Sequence, residues 1–483
     1  MISQNTSSSG QRPLFIALLA LIVWIPLPHG GELPWQHTSF AFASLLLLSI
    51  WLFRHWQTGA AVPDIIRYVR LPLTLLLCWL VYVFIQAIPL PKSLLAWLNP
   101  AALAYFESAQ NIGNKASYSL SIDSGSTLIE ALKYSSYLAT FFLTLVLCNS
   151  TKRLKILATA LFLTGAGLSL YSLVNHYTNG AFSLNNPIPP WGQPWAKITR
   201  GTFSHQNHFA GFLAMTLPVG MGLLYSLSTA NSNINNWRKR ITTCIDLIMS
   251  VKAVYGLLLA SMVTALLFTA SRGGNTAFLA GIFIASILCL IKSKQRINIK
   301  KSAVIPIALL FALFTISATG ITSGLTKRLE DQGFNPNGRD SMRTAAYKII
   351  RDYPVFGSGA GTYPRLQHQY KSPDLGVTAM SKRAHNDYLE ILTDQGIVGF
   401  VLLVSGLLLL LYKLLKPLGK TRHRLSTGLL WGASSGISAI LVHSLAEFNF
   451  QIPANAVYFF LLLAIGCIIS FQHQEKAANT STP

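Results

Sequence analysis

Acidic side chains are scarce in this chain. Sixteen aspartates and glutamates stand against 38 lysines and arginines in 483 residues, for a net charge of +22. Charge of either sign is also dilute, at 11% of residues, where an ordinary soluble domain carries roughly 25%. Hydrophobic residues make up 51%, and the mean hydropathy is +0.44. That balance excludes an ordinary soluble domain and describes an integral membrane protein. Cysteine is sparse too. Cys78, Cys148, Cys244, Cys289 and Cys467 all fall in expected spans or cytoplasmic connections, so an exported disulfide framework is not expected. There is no HExxH spacing and no cysteine beside His205 and His208, which argues against zinc. No Asp-x-Asp pair occurs in the outside loops to hold a divalent cation. Tandem repeats and low-complexity domains are also lacking.

What is present is a series of apolar runs, each long enough to cross a hydrocarbon core of about 30 Å, which takes about 20 helical residues. They predict spans near 13–29, 37–53, 71–90, 131–148, 156–175, 207–227, 253–270, 275–291, 303–320, 397–415, 427–445 and 455–471. The expected fold is therefore an all-α polytopic membrane protein of about twelve transmembrane helices. Residues 13–29 read as a retained first span: only one basic residue precedes them, and no small-residue cleavage site follows Pro26 and Pro28.

A basic excess invites a nucleic-acid reading, but its distribution marks topology instead. Alternate loops carry Arg54, Arg67 and Arg70; Lys152, Arg153 and Lys155; Arg238, Lys239, Arg240 and Lys252; Lys292, Lys294, Arg296, Lys300 and Lys301; and Lys413, Lys416, Lys420, Arg422 and Arg424. Loops 30–36 and 446–454 carry none. The positive-inside rule then puts both termini in the cytoplasm and segments 91–130, 176–206 and 321–396 on the other face. The expected division is spans one to nine in 1–320, a large outside loop in 321–396, and spans ten to twelve with a short tail in 397–483.

Chemistry is concentrated in that outside loop. The run Arg383-Ala384-His385-Asn386-Asp387-Tyr388-Leu389-Glu390 sets a histidine among an arginine, an amide and carboxylates, a composition suited to proton transfer beside an anion. An isolated histidine there would read as an ordinary surface residue. Upstream, Asp340 is a plausible N-cap for a helix running to Pro354, and Gly357-Ser358-Gly359-Ala360-Gly361 forms a flexible turn. Those glycines suggest a phosphate loop only weakly, because no Lys-Ser/Thr follows. A further helix is expected from about Ala384 to Gln395-Gly396, with His385, Tyr388, Leu389 and Leu392 on one face. In the first outside segment, Thr127 to Glu130 resembles a capping box that opens the fourth span.

Two more arginines belong to the outside face. Arg272 lies in the tight connection Thr269-Ala270-Ser271-Arg272-Gly273-Gly274-Asn275. It reads either as an interfacial anchor that snorkels or as a planar fork gripping a phosphate. Arg200 opens Arg200-Gly201-Thr202-Phe203-Ser204-His205-Gln206-Asn207-His208 at a helix start, where backbone amides favour an anion. Taken together, the two arginines could neutralise a diphosphate.

These residues together resemble the O-antigen ligase and O-antigen polymerase superfamily of bacterial envelope glycosyltransferases. The resemblance is carried by RGTFSHQNHFAGF at 200–212, TASRGG at 269–274, RDSMRTAAYKIIRDYPVFGSGAGTY at 339–363, RAHNDYLEILTDQGIVGF at 383–400 and HSLAEFNFQIPANA at 443–456. It implies a GT-C-type enzyme of the bacterial inner membrane, with a mostly helical periplasmic loop between helices 9 and 10. Its donor would be a glycan on undecaprenyl diphosphate and its acceptor a hydroxyl on lipid A core, another glycan or a protein, with no nucleic acid involved. By the same resemblance His385 is the catalytic base and Arg200 and Arg272 hold the diphosphate. Arg339, Arg343, Arg383, Asn386, Asp387 and Glu390 are supporting candidates, and no metal or other cofactor is expected. Ligation ranks first among the activities and polymerisation second. Protein glycosylation ranks third, because no extra carboxy-terminal domain is evident. A polysaccharide or lipid transporter, the alternative from another class, would place more charge inside its spans.

Overall fold

The computed structural model describes residues 7–110, 117–182, 199–227, 250–293, 336–370 and 383–481. Among them the chain forms helices, with no strand beyond two isolated bridges. In order these are α1 (Ser7–Trp24), α2 (Pro34–Thr58), α3 (Asp64–Tyr68), α4 (Arg70–Gln86), α5 (Lys92–Leu98), α6 (Pro100–Gln110), α7 (Ser124–Leu147) and α8 (Thr151–Tyr177). There follow α9 (Gln206–Ser226), α10 (Val251–Phe268), α11 (Arg272–Lys292), α12 (Pro336–Asp352), α13 (Tyr363–Tyr370), α14 (Asp387–Leu415), α15 (Arg424–His443) and α16 (Pro453–Ser481). Eight of the described helices are long and apolar enough to cross a membrane. Each expected span falls on a described helix except 303–320, which lies outside the described residues together with Cys244 and most of the 176–200 segment. The protein is an all-α polytopic membrane protein.

The interior is built around α16. Its apolar window is 94% buried, against 28% for α11 and α14, so it is the helix the others surround. A helix that is apolar all round belongs in such a place. Beside it α9 and α15 cross closely. Gly222 and Gly428 face each other across the contact, and a Cβ on either would run into the other's carbonyl. Lipid tails are as apolar as leucine, so helix association here depends on this kind of close small-residue packing.

The long helix α14 is broken at Gly396, which has φ 61° and ψ −169°. The loop after α12 fills the break: Ile397 and Val398 donate their amides to the carbonyls of Pro354 (2.9 Å) and Val355 (3.2 Å). The carbonyls of Phe356, Asp394 and Gln395 accept from Tyr82 and Gln86 of α4. Backbone groups that the break frees thus find partners within the protein, as a low-dielectric setting requires. The expected stop at Gln395-Gly396 is this break.

A second, smaller core ties the short helices together. Leu95, Ala102 and Phe106 of α5 and α6 pack with Leu120 and Ile122, with Ala346 and Ile349 of α12, with Tyr363 of α13, and with Ala384. Helices α5 and α6 and residues 120–122 thus meet α12, α13 and Ala384, which immediately precedes His385.

Two helix starts differ from their sequence reading. The helix expected from Asp340 begins at Pro336, whose missing amide suits a first turn. The helix expected to be capped at Thr127 begins at Ser124, with the Asp123 carboxylate accepting from the Ser126 amide. Thr127 is otherwise engaged, since its hydroxyl donates to the Ala360 carbonyl at 2.9 Å.

Candidate functional site

The polar chemistry gathers where α9, α11, α14 and α16 begin and α15 ends. Four helix starts point partial positive charge at one region, which favours an anion. Its centre is the turn 443–451 between α15 and α16.

His385 stands just ahead of α14, in the left-handed region at φ 49°. It is not on the helix face expected from the spacing. Asn386 takes the N-cap, its side-chain oxygen accepting from the Tyr388 (3.0 Å) and Leu389 (3.1 Å) amides. Such backbone is uncommon for a residue with a Cβ and is held by its surroundings. Asn386 also donates to the Leu445 carbonyl at 3.0 Å, and Asp387 donates its amide to the Ser444 carbonyl at 3.0 Å. The result is an imidazole fixed over the turn.

His385 Nδ1 lies 3.1 Å from Glu447 Oε2, and the Glu447 side chain is 3% exposed while that of His385 is 20% exposed. Glu447 Oε1 accepts from Asn207 Nδ2 at 2.6 Å. A carboxylate only accepts, so an ionised Glu447 places the proton on Nδ1 and leaves the Nε2 lone pair available. The ring is further confined by Phe448, edge-to-face at 4.9 Å; Phe448 packs in the same manner on His208 at 4.6 Å. Histidine, orienting carboxylate and amide form the arrangement used by general bases.

Arg272 is the exposed first residue of α11, with Ser271 as N-cap. Its neighbour Gly273 abuts the His443 ring, so this helix start adjoins the end of α15 and the same turn. Arg200 lies in the stretch 199–205, which packs on the connection between α1 and α2. Thr202 donates to the Pro26 carbonyl (2.6 Å), Ser204 bonds Glu32, and Phe203 bridges to His29. Burial lowers the affinity of the Arg200 guanidinium for its proton, while Tyr171 acts in the opposite direction. Burial likewise depresses the His29 imidazole; Glu32 opposes this and Arg200 adds to it. The stretch leads into α9, whose second residue, Asn207, reaches the centre.

The supporting candidates divide. Arg343 approaches the Leu445 carbonyl at 3.4 Å, the same carbonyl that Asn386 binds, so it borders the turn. Arg339 lies in α12, with its side chain outside the described residues. Arg383 faces inward and bonds Glu390 at 2.7 Å and Gln451 at 3.0 Å. Burial opposes its charge, but Glu390 and then Glu130 outweigh that and hold the guanidinium above its ordinary value. Glu390, fully buried, also accepts from the Ala384 amide at 3.0 Å. Nearby Glu130 pairs with Lys133 at 2.5 Å. Asp387 is buried and accepts from the Phe450 amide at 3.2 Å. Arg383, Asp387 and Glu390 therefore brace the loop from beneath.

The glycine run 357–361 packs against a carboxyl group of the protein itself. Asp394 accepts from the Gly361 amide (2.7 Å) and the Tyr363 amide (3.0 Å). Among the described residues no group of three or more His, Cys, Asp or Glu side chains has the geometry to hold a metal ion. Glu447, in the loop 446–454 that lacks basic residues, is one of three acids, with Asp387 and Glu390, that the sequence offers to orient the histidine, whereas Asn207 carries no signal of its own.

Fold and site together describe a multi-pass membrane protein with a histidine–carboxylate pair and cationic helix starts at one end of its bundle. Residues 257–404 match the O-Antigen ligase family, and that match supports the resemblance to the O-antigen ligase superfamily. The matched stretch contains Arg272 and His385 and ends before Glu447. A protein of Haemophilus influenzae, described as uncharacterized, is 28% identical over 224 residues, which is 43% of this chain and 54% of that protein. The chain thus spans about half the length of this curated relative.

Proposed function

We infer that the protein is an inner-membrane glycosyltransferase that moves a glycan from undecaprenyl diphosphate to an acceptor hydroxyl on the periplasmic face. Transfer onto lipid A core is the first choice of reaction and chain polymerisation the second. The observation that carries this reading is the His385–Glu447 pair. Nε2 of His385 takes the acceptor hydroxyl proton as that oxygen attacks the anomeric carbon. The bond from that carbon to the diphosphate breaks in line, and the diphosphate leaves with the electron pair. Glu447 stabilises the imidazolium that forms. Arg272 and Arg200, with the nearby helix starts, take up the charge of the leaving diphosphate. Cationic side chains can fill that role, so the reading needs no metal.

The test is reconstitution of the purified protein with one lipid-linked glycan and three acceptors: core lipid, a second lipid-linked glycan and a pilin-like protein. Product on core lipid, undiminished by exhaustive chelation, is expected, and His385→Ala should lower the rate by at least about 10²-fold. Undiminished transfer by His385→Ala, present at normal levels, would defeat the mechanism. Movement of the lipid-linked glycan across the bilayer without any product would instead indicate a transporter.

A further inference from the structure

A second polar concentration lies at the far end of α15, away from the glycan chemistry. α15 has 20 residues, so its first turn stands about 30 Å from its last, about one hydrocarbon thickness. When one end of α15 is at a membrane surface, the other end is at headgroup depth on the opposite face. Around that first turn is a cavity of about 330 Å³, lined by Lys420, Arg422 and His423 ahead of α15, His473 and Lys476 of α16, and Thr151 at the start of α8. Its lining includes no carboxylate, and buried Ile469 adds an apolar wall.

The local electrostatics call for a counter-charge. Two helix starts meet at this cavity, and neither α8 nor α15 has an acid in its first turn. α15 also lacks a side-chain cap. A helix start already carries partial positive charge, and cations placed beside it raise the energy unless an anion neutralises them. Hydroxyls of Thr151, Thr421 and Ser426 and the Gln472 amide supply neutral hydrogen-bond donors on the same walls. A phosphate group suits this mixture of point charges and hydroxyl donors. The depth of the cavity and its apolar wall favour a phosphate attached to acyl chains.

We propose that this cavity binds the phosphate of an anionic phospholipid headgroup, on the membrane face opposite His385. The test uses the full-length protein in nanodiscs of mixed phosphatidylglycerol and phosphatidylcholine, with native mass spectrometry of the lipid retained as the shell is stripped. Phosphatidylglycerol should be retained selectively. Each cation near an anionic lipid contributes about fivefold, so Lys420→Gln with Arg422→Gln should weaken retention about 25-fold. The charge-conserving pair Lys420→Arg with Arg422→Lys should keep it, and Arg54→Gln with Arg70→Gln, which removes the same charge elsewhere, should leave it unchanged. Equal retention of the two lipids, or equal loss in both neutralised pairs, would overturn the proposal. Binding of inorganic phosphate that the first pair abolishes, without selectivity between the lipids, would assign the cavity to a soluble phosphate ester and overturn the lipid assignment.

Discussion

Glu447 is one of 16 carboxylates in the chain, and it lies against His385 while Asn207 holds its other oxygen. If it sets the tautomer, Glu447→Gln should lower kcat by about 10²-fold or more with little change in the KM for the lipid-linked donor. A kcat at the wild-type level would leave Glu447 with a packing role alone. Arg272 is a different kind of test. Lysine keeps the charge but loses the planar fork, so Arg272→Lys should cost at least about tenfold in kcat/KM, measured with the same purified donor. Full activity would mean that a point charge is enough. Sequence proximity was an uneven guide at this scale. Arg383 stands two residues from His385 and looks equally suited to an anion, yet it is committed to Glu390 and Gln451. The carboxylate His385 does meet is 62 positions away. A linear reading cannot tell an outward arginine from an inward one, because besides the nearby Glu390 that choice is made by Glu130 and Gln451, from elements that only the fold brings near.

At the scale of elements, the long apolar runs were legible because a hydrocarbon core demands one form of backbone over a set length. Helix starts were less so: α7 opens at Ser124 and α12 at Pro336, since the residues expected to cap them were either taken by other partners or overtaken by a better first turn. The break in α14 was legible from Gly396 itself, but its filling by residues 354–357 was not. Gly396→Ala should be destabilising: a left-handed backbone costs a residue with a Cβ about 1–2 kcal/mol, and the new methyl would meet the Val355 carbonyl. A lowered thermal midpoint of the purified protein checks this. An unchanged midpoint would mean that the backbone at the break relaxes freely.

For the whole molecule, the candidate site and the basic cavity occupy opposite ends of α15. The positive-inside reading assigns the first to the periplasm and the second to the cytoplasm. In a background with the five native cysteines replaced, a membrane-impermeant maleimide should label Leu33→Cys in cells whose inner membrane is intact. It should reach Lys420→Cys only after that membrane is opened. The reverse pattern would invert the orientation and remove the periplasmic assignment of the reaction. At this scale the sequence reading rests on charge asymmetry between loops, which needs no knowledge of packing.

The break at Gly396 also bears on how the protein meets bilayers of different thickness. A span longer or shorter than the local hydrocarbon layer adjusts by tilting. In an unbroken α14 that tilt would swing its first turn, and His385 with it, as a rigid lever. Here the helix is interrupted at Gly396, and the turn before it is anchored to α4 and to the small core around Tyr363. The position of His385 is thereby less directly coupled to the tilt of residues 397–415.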